Sequence, residues 1–297
     1  MALPSSTRPA DGEGPHHAVG PFVVRLRLDL AYDGGGFAGW AAQPGLRTVE
    51  GELTSALETI CRTSGVRVVV AGRTDAGVHA AGQVCHVDLP QEALEAARGR
   101  RERSPQEALL ARLRGVLPPD VALHAVTRAP EGFDARFSAL QRRYRYLIGD
   151  DPGRRDPLRR HDVVALREPL DVAAMDEAAT AMLGLRDFAA FCKRREGATT
   201  TRTLLEHSWR RTEDGLVEGR VVADAFCHSM VRALVGAVVP VGQGRQGTGW
   251  PLEVLTAGVR DPRVKVMPAH GLSLVEVSYP DDDRLAARAR EARARRD

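Results

Sequence analysis

The clearest pattern in the sequence is a strict alternation of apolar and polar residues close to its start. The apolar residues Val24, Leu26, Leu28, Leu30 and Tyr32 alternate with the charged residues Arg25, Arg27 and Asp29 and then with Ala31. A period of two predicts a β-strand with one buried face. The run Asp33-Gly34-Gly35-Gly36 follows and predicts a turn.

A helical pattern begins at residue 48, and eleven residues, 37–47, separate it from this turn. Thr48 is a suitable N-cap, and Glu50 and Glu52 lie in the first turn, where acidic side chains favour the helix dipole. The apolar residues recur with helical spacing at Val49, Leu53, Ala56, Leu57 and Ile60. Together these features predict an amphipathic helix that packs on the strand.

A second helix is predicted from a capping box. Residues 104–107 read Ser-Pro-Gln-Glu, which places a proline at the first helical position, and the helix is expected to run to about Gly115. The segment before it, residues 92–103, is charged and rich in alanine. We interpret that segment as an inserted helical excursion.

Short apolar runs and cap signals predict the remaining elements. Further strands are expected at 66–70, 83–89, 121–126, 142–148, 203–211, 215–225 and 272–279. Further helices are expected at 171–183, at 229–239 with a stop at Pro240, and at 250–257. The tail at 284–296 contains six arginines among alanines and predicts a solvated helix, with a basic arm as the alternative.

The order of these elements predicts an α+β fold. Most strands are joined by hairpins and short helices, so the sheet should be mainly antiparallel. Residues 149–169, crowded with Asp, Pro and Arg, are the expected boundary between two halves with a cleft between them. The predicted division is a disordered leader at 1–20, an N-terminal half at 21–148, a C-terminal half at 149–280, and a basic tail at 281–297.

Composition narrows the class of protein. The chain has 297 residues and a formal net charge of +3, and only Lys193 and Lys265 among its 42 basic residues are lysines. Arginine suits phosphate binding and stacking on bases, which permits a nucleic-acid partner, although a genome-wide preference for arginine over lysine explains most of the bias. No apolar stretch approaches the ~20 residues of a membrane span, so a cytoplasmic protein is expected.

Cysteine spacing argues against a metal site. The four cysteines, Cys61, Cys85, Cys192 and Cys227, show no CxxC spacing and no histidine partners at zinc-site distances. We therefore expect free buried thiols rather than a disulfide framework or a metal centre.

One loop carries the most promising chemistry. Asp75 lies between the strands predicted at 66–70 and 83–89, and glycines at Gly72 and Gly77 flank it. Glycines let the backbone turn tightly and let a ligand approach closely. On the residues alone, a catalytic carboxylate and an ordinary turn whose aspartate caps its own backbone are both consistent with this loop.

Common enzyme motifs do not explain the sequence. A GxGxxG pattern occurs at 242–247, but it follows a predicted helix, whereas a dinucleotide site needs a preceding strand. The P-loop, HExxH and GxSxG patterns are absent from the sequence. A single presented carboxylate without a metal suits nucleophilic or acid-base chemistry, and an arginine partner would keep that carboxylate ionised.

Four sequence segments together resemble one enzyme family. GRTDAGVHA at 72–80 resembles the active-site signature of the tRNA pseudouridine synthase A family, whose members isomerise uridines at positions 38 to 40 of the tRNA anticodon stem-loop. The family's other signatures are matched by YDG and FAGW within 32–40, by FDARFSA and RRYRY within 133–146, and by FCHSMVR at 226–232. The resemblance covers residues 22–280.

The resemblance implies a fold, a mechanism and specific roles. It implies the pseudouridine synthase fold, in which two similar α+β halves form an extended, mainly antiparallel sheet with a central catalytic cleft. Asp75 is implied to attack the flipped uridine or its ribose, with Arg232 pairing to it across the cleft. Tyr144 is implied to pack on the target base and to be a candidate for removing a proton, and Arg73 to hold the RNA with its base extruded. The family implies a tRNA partner, a homodimer, and no metal or organic cofactor.

Other basic residues are candidates for phosphate contact. These are Arg142, Arg143, Arg145, Lys193, Arg194 and Arg195, although a solvated charged face is nearly as consistent with them. His79 and His228 are expected to be structural, and the alternative is a supporting role beside the site. Two alternative functions stay open at this point, namely a tRNA-binding protein or RNA chaperone without turnover and a synthase that acts on a different RNA uridine.

Overall fold

One ten-stranded sheet organises the part of the chain that the structure, a computed structural model, describes, namely residues 22–98, 102–193 and 199–294. Its strands are β1 Val23–Tyr32, β2 Val68–Val70, β3 His79–Pro90, β4 Val121–Arg128, β5 Gln141–Gly149, β6 Val164–Ala165, β7 Gly184–Asp187, β8 Thr201–Arg211, β9 Val217–Ala223 and β10 Leu272–Ser278. The order across the sheet is β4-β1-β3-β10-β5-β9-β8-β7, with β2 beside β3 and β6 beside β5.

Antiparallel pairing dominates this sheet, as predicted. Only the β3–β10 and β5–β6 pairs are parallel among the described strands. The β3–β10 pair is joined by two registered positions, Ser273 with His79 and Leu274 with Ala80. The late strand β10 therefore connects β3 to β5 in the middle of the sheet.

Helices pack against the sheet with the caps that the sequence predicts. They are α1 Val49–Cys61, α2 Gln91–Arg98, α3 Pro105–Val116, α4 Val172–Thr180, α5 Met230–Gly242, α6 Trp250–Ala257 and α7 Leu285–Arg293. The hydroxyl of Thr48 accepts a hydrogen bond from the Gly51 amide, and Ser104 and Glu107 form the reciprocal capping box. Both predicted helix starts are confirmed.

The predicted core face of β1 is confirmed. Leu26, Leu28 and Leu30 are fully buried, and the same face of α1 that was predicted from helical spacing is buried as well. Each such leucine contributes about 1.5–3 kcal/mol relative to an exposed one. These contacts support the loops that leave the ends of β1 and β2.

Three elements differ from the sequence prediction. The two-residue strand β6 was not predicted and lies within the expected boundary at 149–169. Helix α5 continues past Pro240 to Gly242. The proline lies in the last turn, where its missing N–H removes one hydrogen bond without breaking the rest of the helix. Strand β7 was not predicted, because all four of its residues are exposed and it has no apolar face to produce a pattern.

The C-terminal tail forms a helix that is attached to the fold. Leu285 and Ala289 are buried, and Arg293 makes a 2.7 Å ion pair with Asp134. The helical prediction for this tail is therefore confirmed over α7, although one side of the helix packs on the protein.

The sheet order also bears on the proposed division of the chain. Strand β5 precedes the expected boundary at 149, yet it pairs on both sides with later strands, β10 and β9. The division at that boundary remains a prediction. The predicted leader at 1–20, together with Arg194 and Arg195, lies outside the described residues.

The expectation of four free thiols is corrected in part. Cys61 and Cys85 are free and buried, and burial raises the pKa of both thiols. Cys192 and Cys227 form a disulfide with a Cα–Cα distance of 5.7 Å. The sequence search for close CxxC spacing missed this pair because the fold, and not local sequence, brings together two residues that are 35 positions apart.

None of the helices within the described ranges has the length and apolar character needed to cross a membrane.

Candidate active site

The loop at residues 72–77, here called the Asp75 loop, is held from below by buried hydrogen bonds. It connects β2 to β3. Thr74 Oγ1 shares a 2.8 Å hydrogen bond with the Tyr32 hydroxyl. The Gln83 side-chain amide donates both to that hydroxyl, at 3.1 Å, and to the carbonyl of Gly72, at 3.0 Å. Because Tyr32 and Gln83 sit on β1 and β3, the sheet fixes the position of the loop.

Gly39 supports the same loop from the side. The Trp40 amide donates a 3.0 Å hydrogen bond to the Thr74 carbonyl. Gly39 has a φ of +102°, and a Cβ atom there would lie 3.0 Å from the Thr74 carbonyl oxygen and 3.3 Å from the carbonyl carbon of Asp75. Only glycine combines that backbone conformation with so close an approach. This gives a physical reason for the glycine in the FAGW segment.

The opposite wall of the cleft is formed by residues 226–232, here called the Arg232 segment, which leads into α5. Three of its side chains face the Asp75 carboxylate. Ser229 Oγ donates a 3.0 Å hydrogen bond to Oδ2, His228 Nε2 lies 3.2 Å from Oδ1, and Arg232 Nη1 lies 3.6 Å from Oδ2. The contact predicted between Asp75 and Arg232 is therefore present.

Arg232 is itself held in place by the chain before β10. Its Nε donates a 2.6 Å hydrogen bond to the Met267 carbonyl, and the Met267 amide donates to the Arg232 carbonyl at 3.2 Å. The guanidinium is one-fifth exposed and the Asp75 side chain about one-quarter exposed. A partly dehydrated ion pair of this kind keeps its attraction better than one in open solvent.

Tyr144 borders the same cleft from β5. Its ring meets the Phe226 ring edge-on, with centroids 5.1 Å apart. Burial raises the pKa of Tyr144, and the nearby Asp75 charge acts in the same direction. The phenol is therefore neutral at physiological pH, which suits packing and hydrogen-bond donation better than the removal of a proton.

Arg142 lies beneath the site and not on its surface. Its guanidinium donates 2.7 Å hydrogen bonds to three carbonyls, those of Ala71, Arg136 and Asp224. Burial lowers the pKa of Arg142. We therefore assign Arg142 a structural role and leave it out of the phosphate contacts. The two-residue period of β5 indicates this burial, because Arg142 lies on the same buried face as Tyr144 and Tyr146.

Comparison with known proteins identifies the family. A sequence profile of the tRNA pseudouridine synthase family matches residues 178–280. The chain is 57% identical to "tRNA pseudouridine synthase A" of Frankia casuarinae, with 92% of this chain and 95% of that protein covered. The proteins of the same name in Streptomyces avermitilis and Streptomyces griseus are 54% and 56% identical, over 94% and 92% of this chain and 96% and 94% of their own lengths.

The chain belongs to the tRNA pseudouridine synthase A family. It is thus a member of an isomerase family with an α+β fold, and both expectations from the sequence are confirmed. The individual roles of Asp75, Tyr144 and Arg232 stay predictions, now with a geometry that brings the three side chains to one cleft.

The remaining basic candidates of this pseudouridine synthase are spread more widely. Arg73 is exposed beside Asp75. Lys193 is next to the site, because its amide donates to the His228 carbonyl at 3.2 Å. Arg143 and Arg145 project from the opposite face of β5 to Tyr144, and Arg143 pairs with Glu276 at 2.9 Å. Among the candidates within the described ranges, Arg73 and Lys193 are the ones beside Asp75 and His228.

Two side chains that contact the Asp75 carboxylate of this synthase were not predicted from the sequence to do so. Ser229 was not singled out, and His228 was expected to be structural, yet both contact Asp75. Both residues could have been selected from their position in the FCHSMVR segment, shortly before Arg232. In the described portion of the chain, no group of three or more His, Cys, Asp or Glu side chains is placed to hold a metal ion.

Proposed function

We propose that this protein converts uridine to pseudouridine at positions 38, 39 and 40 of the tRNA anticodon stem-loop, with Asp75 as the nucleophile. The observation that carries the proposal is the Asp75 carboxylate, presented by one loop and contacted by three donors of a second segment. The tRNA substrate comes from the names of relatives that match almost the whole chain.

The reaction requires that a base leave its stack and remain trapped. The bond between C1′ of the ribose and N1 of uracil must break, the base must rotate, and C5 must bond to C1′. The proton on C5 is lost and N1 regains a proton, so the product is an isomer. Extruding the base costs a few kcal/mol, which a dry and partly aromatic pocket offsets. Tyr144 and Phe226 supply aromatic surface beside Asp75.

The charges around Asp75 suit a nucleophile. Arg232 places a positive charge 3.6 Å from Oδ2 of Asp75, and a carboxylate attacks either C6 of the base or C1′ of the sugar only in its ionised form. Arg73 is exposed at the rim, where a guanidinium can bind a phosphate and hold the RNA with its base extruded. Lys193 is a second candidate for phosphate contact.

The proposal includes the setting in which the enzyme acts. We expect a homodimer in which tRNA contacts both subunits, and a cytoplasmic location where tRNA is available. Neither the reaction nor the pocket calls for a metal or an organic cofactor. Size-exclusion chromatography with light scattering tests the dimer independently of activity.

The experiment that tests the function is tritium release from a tRNA transcript labelled at C5 of uridine, without added cofactor, followed by mapping of the modified positions. Wild type is compared with Asp75→Asn, and Asp29→Asn serves as the matched control. Asp29 is also an ion-paired aspartate, 30% exposed and 2.7 Å from Arg27, but it lies on β1 outside the cleft.

We expect release by wild type and Asp29→Asn at positions 38–40, and tRNA binding without release by Asp75→Asn. Release by Asp75→Asn would overturn the nucleophile. Release located elsewhere would identify a synthase for a different uridine. Binding without release by wild type would favour a tRNA-binding protein or RNA chaperone.

A further inference from the structure

The hydroxyl of Ser229 is bonded to the catalytic candidate and not to its own helix. Ser229 occupies the N-cap position of α5, where serine ordinarily accepts a hydrogen bond from the first turn. It makes no such cap bond here. The hydroxyl donates to Asp75 Oδ2 at 3.0 Å, across 154 positions of sequence.

The backbone conformation of Ser229 is also unusual. It has φ 61° and ψ 10°, the left-handed conformation that residues with a Cβ rarely adopt. Arg62 is the one other non-glycine residue with a positive φ in the described ranges, and it holds the ordinary C-cap position of α1. Strained residues of this kind persist where the surrounding structure holds them, often at functional sites.

The remaining donors do not replace this hydroxyl. Arg232 lies farther from Oδ2, at 3.6 Å, and its Nε is bound to the Met267 carbonyl. His228 contacts the other oxygen, Oδ1, and its side chain is 41% exposed, so incoming RNA can displace it. Ser229 is therefore the short, directional donor that fixes how the carboxylate is rotated.

We propose that Ser229 is a positioning residue for Asp75, held in the left-handed conformation so that its hydroxyl anchors Oδ2 and leaves Oδ1, which the exposed His228 contacts at 3.2 Å, as the attacking oxygen. This inference rests on the proposed role of Asp75 as the nucleophile. It assigns the strain at Ser229 to catalysis, because the fold would gain from glycine at this position. Arg232 and Ser229 then have different roles. Arg232 supplies a positive charge near the carboxylate, and Ser229 fixes the orientation of the carboxylate.

The test uses Ser229→Gly, which removes the hydroxyl and relieves the backbone, with Ser229→Ala, which removes the hydroxyl alone, and Ser229→Thr, which keeps it. Arg62→Gly is the matched control, because it relieves a left-handed residue far from the cleft. Single-turnover isomerisation, the Kd for tRNA and the melting temperature are measured for each variant.

We expect Ser229→Gly to melt at or above the wild-type temperature, to bind tRNA within about twofold, and to isomerise roughly 10- to 100-fold more slowly. Ser229→Ala should be equally slow and less stable. Ser229→Thr should recover most of the rate but melt at a lower temperature, because a β-branched side chain is strained at positive φ. Arg62→Gly should gain stability with an unchanged rate. A wild-type rate in Ser229→Gly would overturn the inference.

A parallel measurement on wild type and Asp75→Asn distinguishes a failure of the role proposed for Ser229 from a failure of the proposed nucleophile. If wild type isomerises tRNA and Asp75→Asn does not, a fully active Ser229→Gly contradicts the role of Ser229 alone. If Asp75→Asn is active, the proposed nucleophile itself is wrong, and the role of Ser229 falls with it.

Discussion

The guanidinium of Arg142 donates a 2.7 Å hydrogen bond to the carbonyl of Ala71, the residue that precedes the Asp75 loop. The same side chain reaches Arg136 and Asp224, so it ties the loop with Asp75 to the chain that leads into the Arg232 segment. A buried cation without a carboxylate partner is stable only while such carbonyls surround it. One interior residue thereby links both walls of the cleft.

Replacing Arg142 should therefore disturb stability and activity together. Arg142→Lys places a single nitrogen where two now bind three carbonyls, and we expect a loss of about 2–4 kcal/mol in the free energy of unfolding. Urea denaturation measures it. Arg143→Lys is the control, because Arg143 is 40% exposed and its pair with Glu276 should be worth less than about 1 kcal/mol. Equal midpoints for the two variants would contradict the role assigned to Arg142.

Gly39 should be essential for the shape of the Asp75 loop. In Gly39→Ala the new methyl group would press on the backbone of Thr74 and Asp75, in addition to the cost of about 1–2 kcal/mol for a left-handed alanine. Gly45→Ala is a matched control, because Gly45 also has a positive φ but nothing lies within 4 Å of its added Cβ. We expect both variants to lose stability and only Gly39→Ala to lose isomerisation, by at least roughly tenfold. Equal rates would show that the loop tolerates displacement.

The hydroxyl of Tyr144 should matter for turnover and little for stability. Because burial raises the pKa of Tyr144, the group acts as a neutral phenol. We expect Tyr144→Phe to lower the single-turnover rate roughly 100-fold with nearly unchanged tRNA affinity. Tyr146→Phe is the comparison, since that hydroxyl donates to the Pro268 carbonyl at 2.8 Å and its loss should lower stability by about 1 kcal/mol. A near-wild-type rate in Tyr144→Phe would make Tyr144 a packing residue.

Alkaline conditions should unfold the protein through its tyrosines. Burial raises the pKa of all four, to about 12 for Tyr32 and in the same direction for Tyr144, Tyr146 and Tyr279. The unfolded chain loses these protons near pH 10, while the folded protein keeps them. The unfolded state then binds fewer protons, so stability is complete below about pH 10 and falls as the pH rises towards 12, by about 1.4 kcal/mol per pH unit for each tyrosine.

Two signals recorded together check this expectation. Absorbance near 295 nm reports tyrosine ionisation, and circular dichroism reports folding. Both should change in one step above pH 10, and Tyr32→Phe should make the fall in stability less steep. Tyrosines that ionise near pH 10 while the circular dichroism stays native would show that they are accessible to solvent.

Local patterns were sufficient for elements that bury one face. The alternation in β1 and the Thr48 cap of α1 follow from periodicity and short-range hydrogen bonds, and both are present as predicted. Strand β7 was not predicted because all four of its residues are exposed, so it has no buried face to produce a pattern. Short-range rules also overestimated the effect of Pro240, since a proline in the last helical turn removes only one bond.

The site was predictable only in part, for a related reason. Family resemblance pointed to Asp75 and Arg232, and the structure places them in contact. The hydrogen bond from Ser229 could not be read from the sequence, because it depends on a left-handed backbone and on two segments 154 positions apart. The burial of Arg142 follows from the alternation of buried residues along β5. Arg142 was nevertheless proposed as a phosphate contact because arginine binds phosphate well.

The central position of β10 in the sheet affects the order in which the site forms during synthesis of the chain. This strand is the last one in the described chain, yet it fills the gap between β3, which follows the Asp75 loop, and β5, which carries Tyr144. Chains fold progressively as they are synthesised, and contacts between distant segments form late. A growing polypeptide thus contains Asp75, Tyr144 and Arg232 well before residues 272–278 exist to align them. A chain cut before residue 272 would contain the candidate residues Asp75, Tyr144 and Arg232 without the strand that joins β3 to β5.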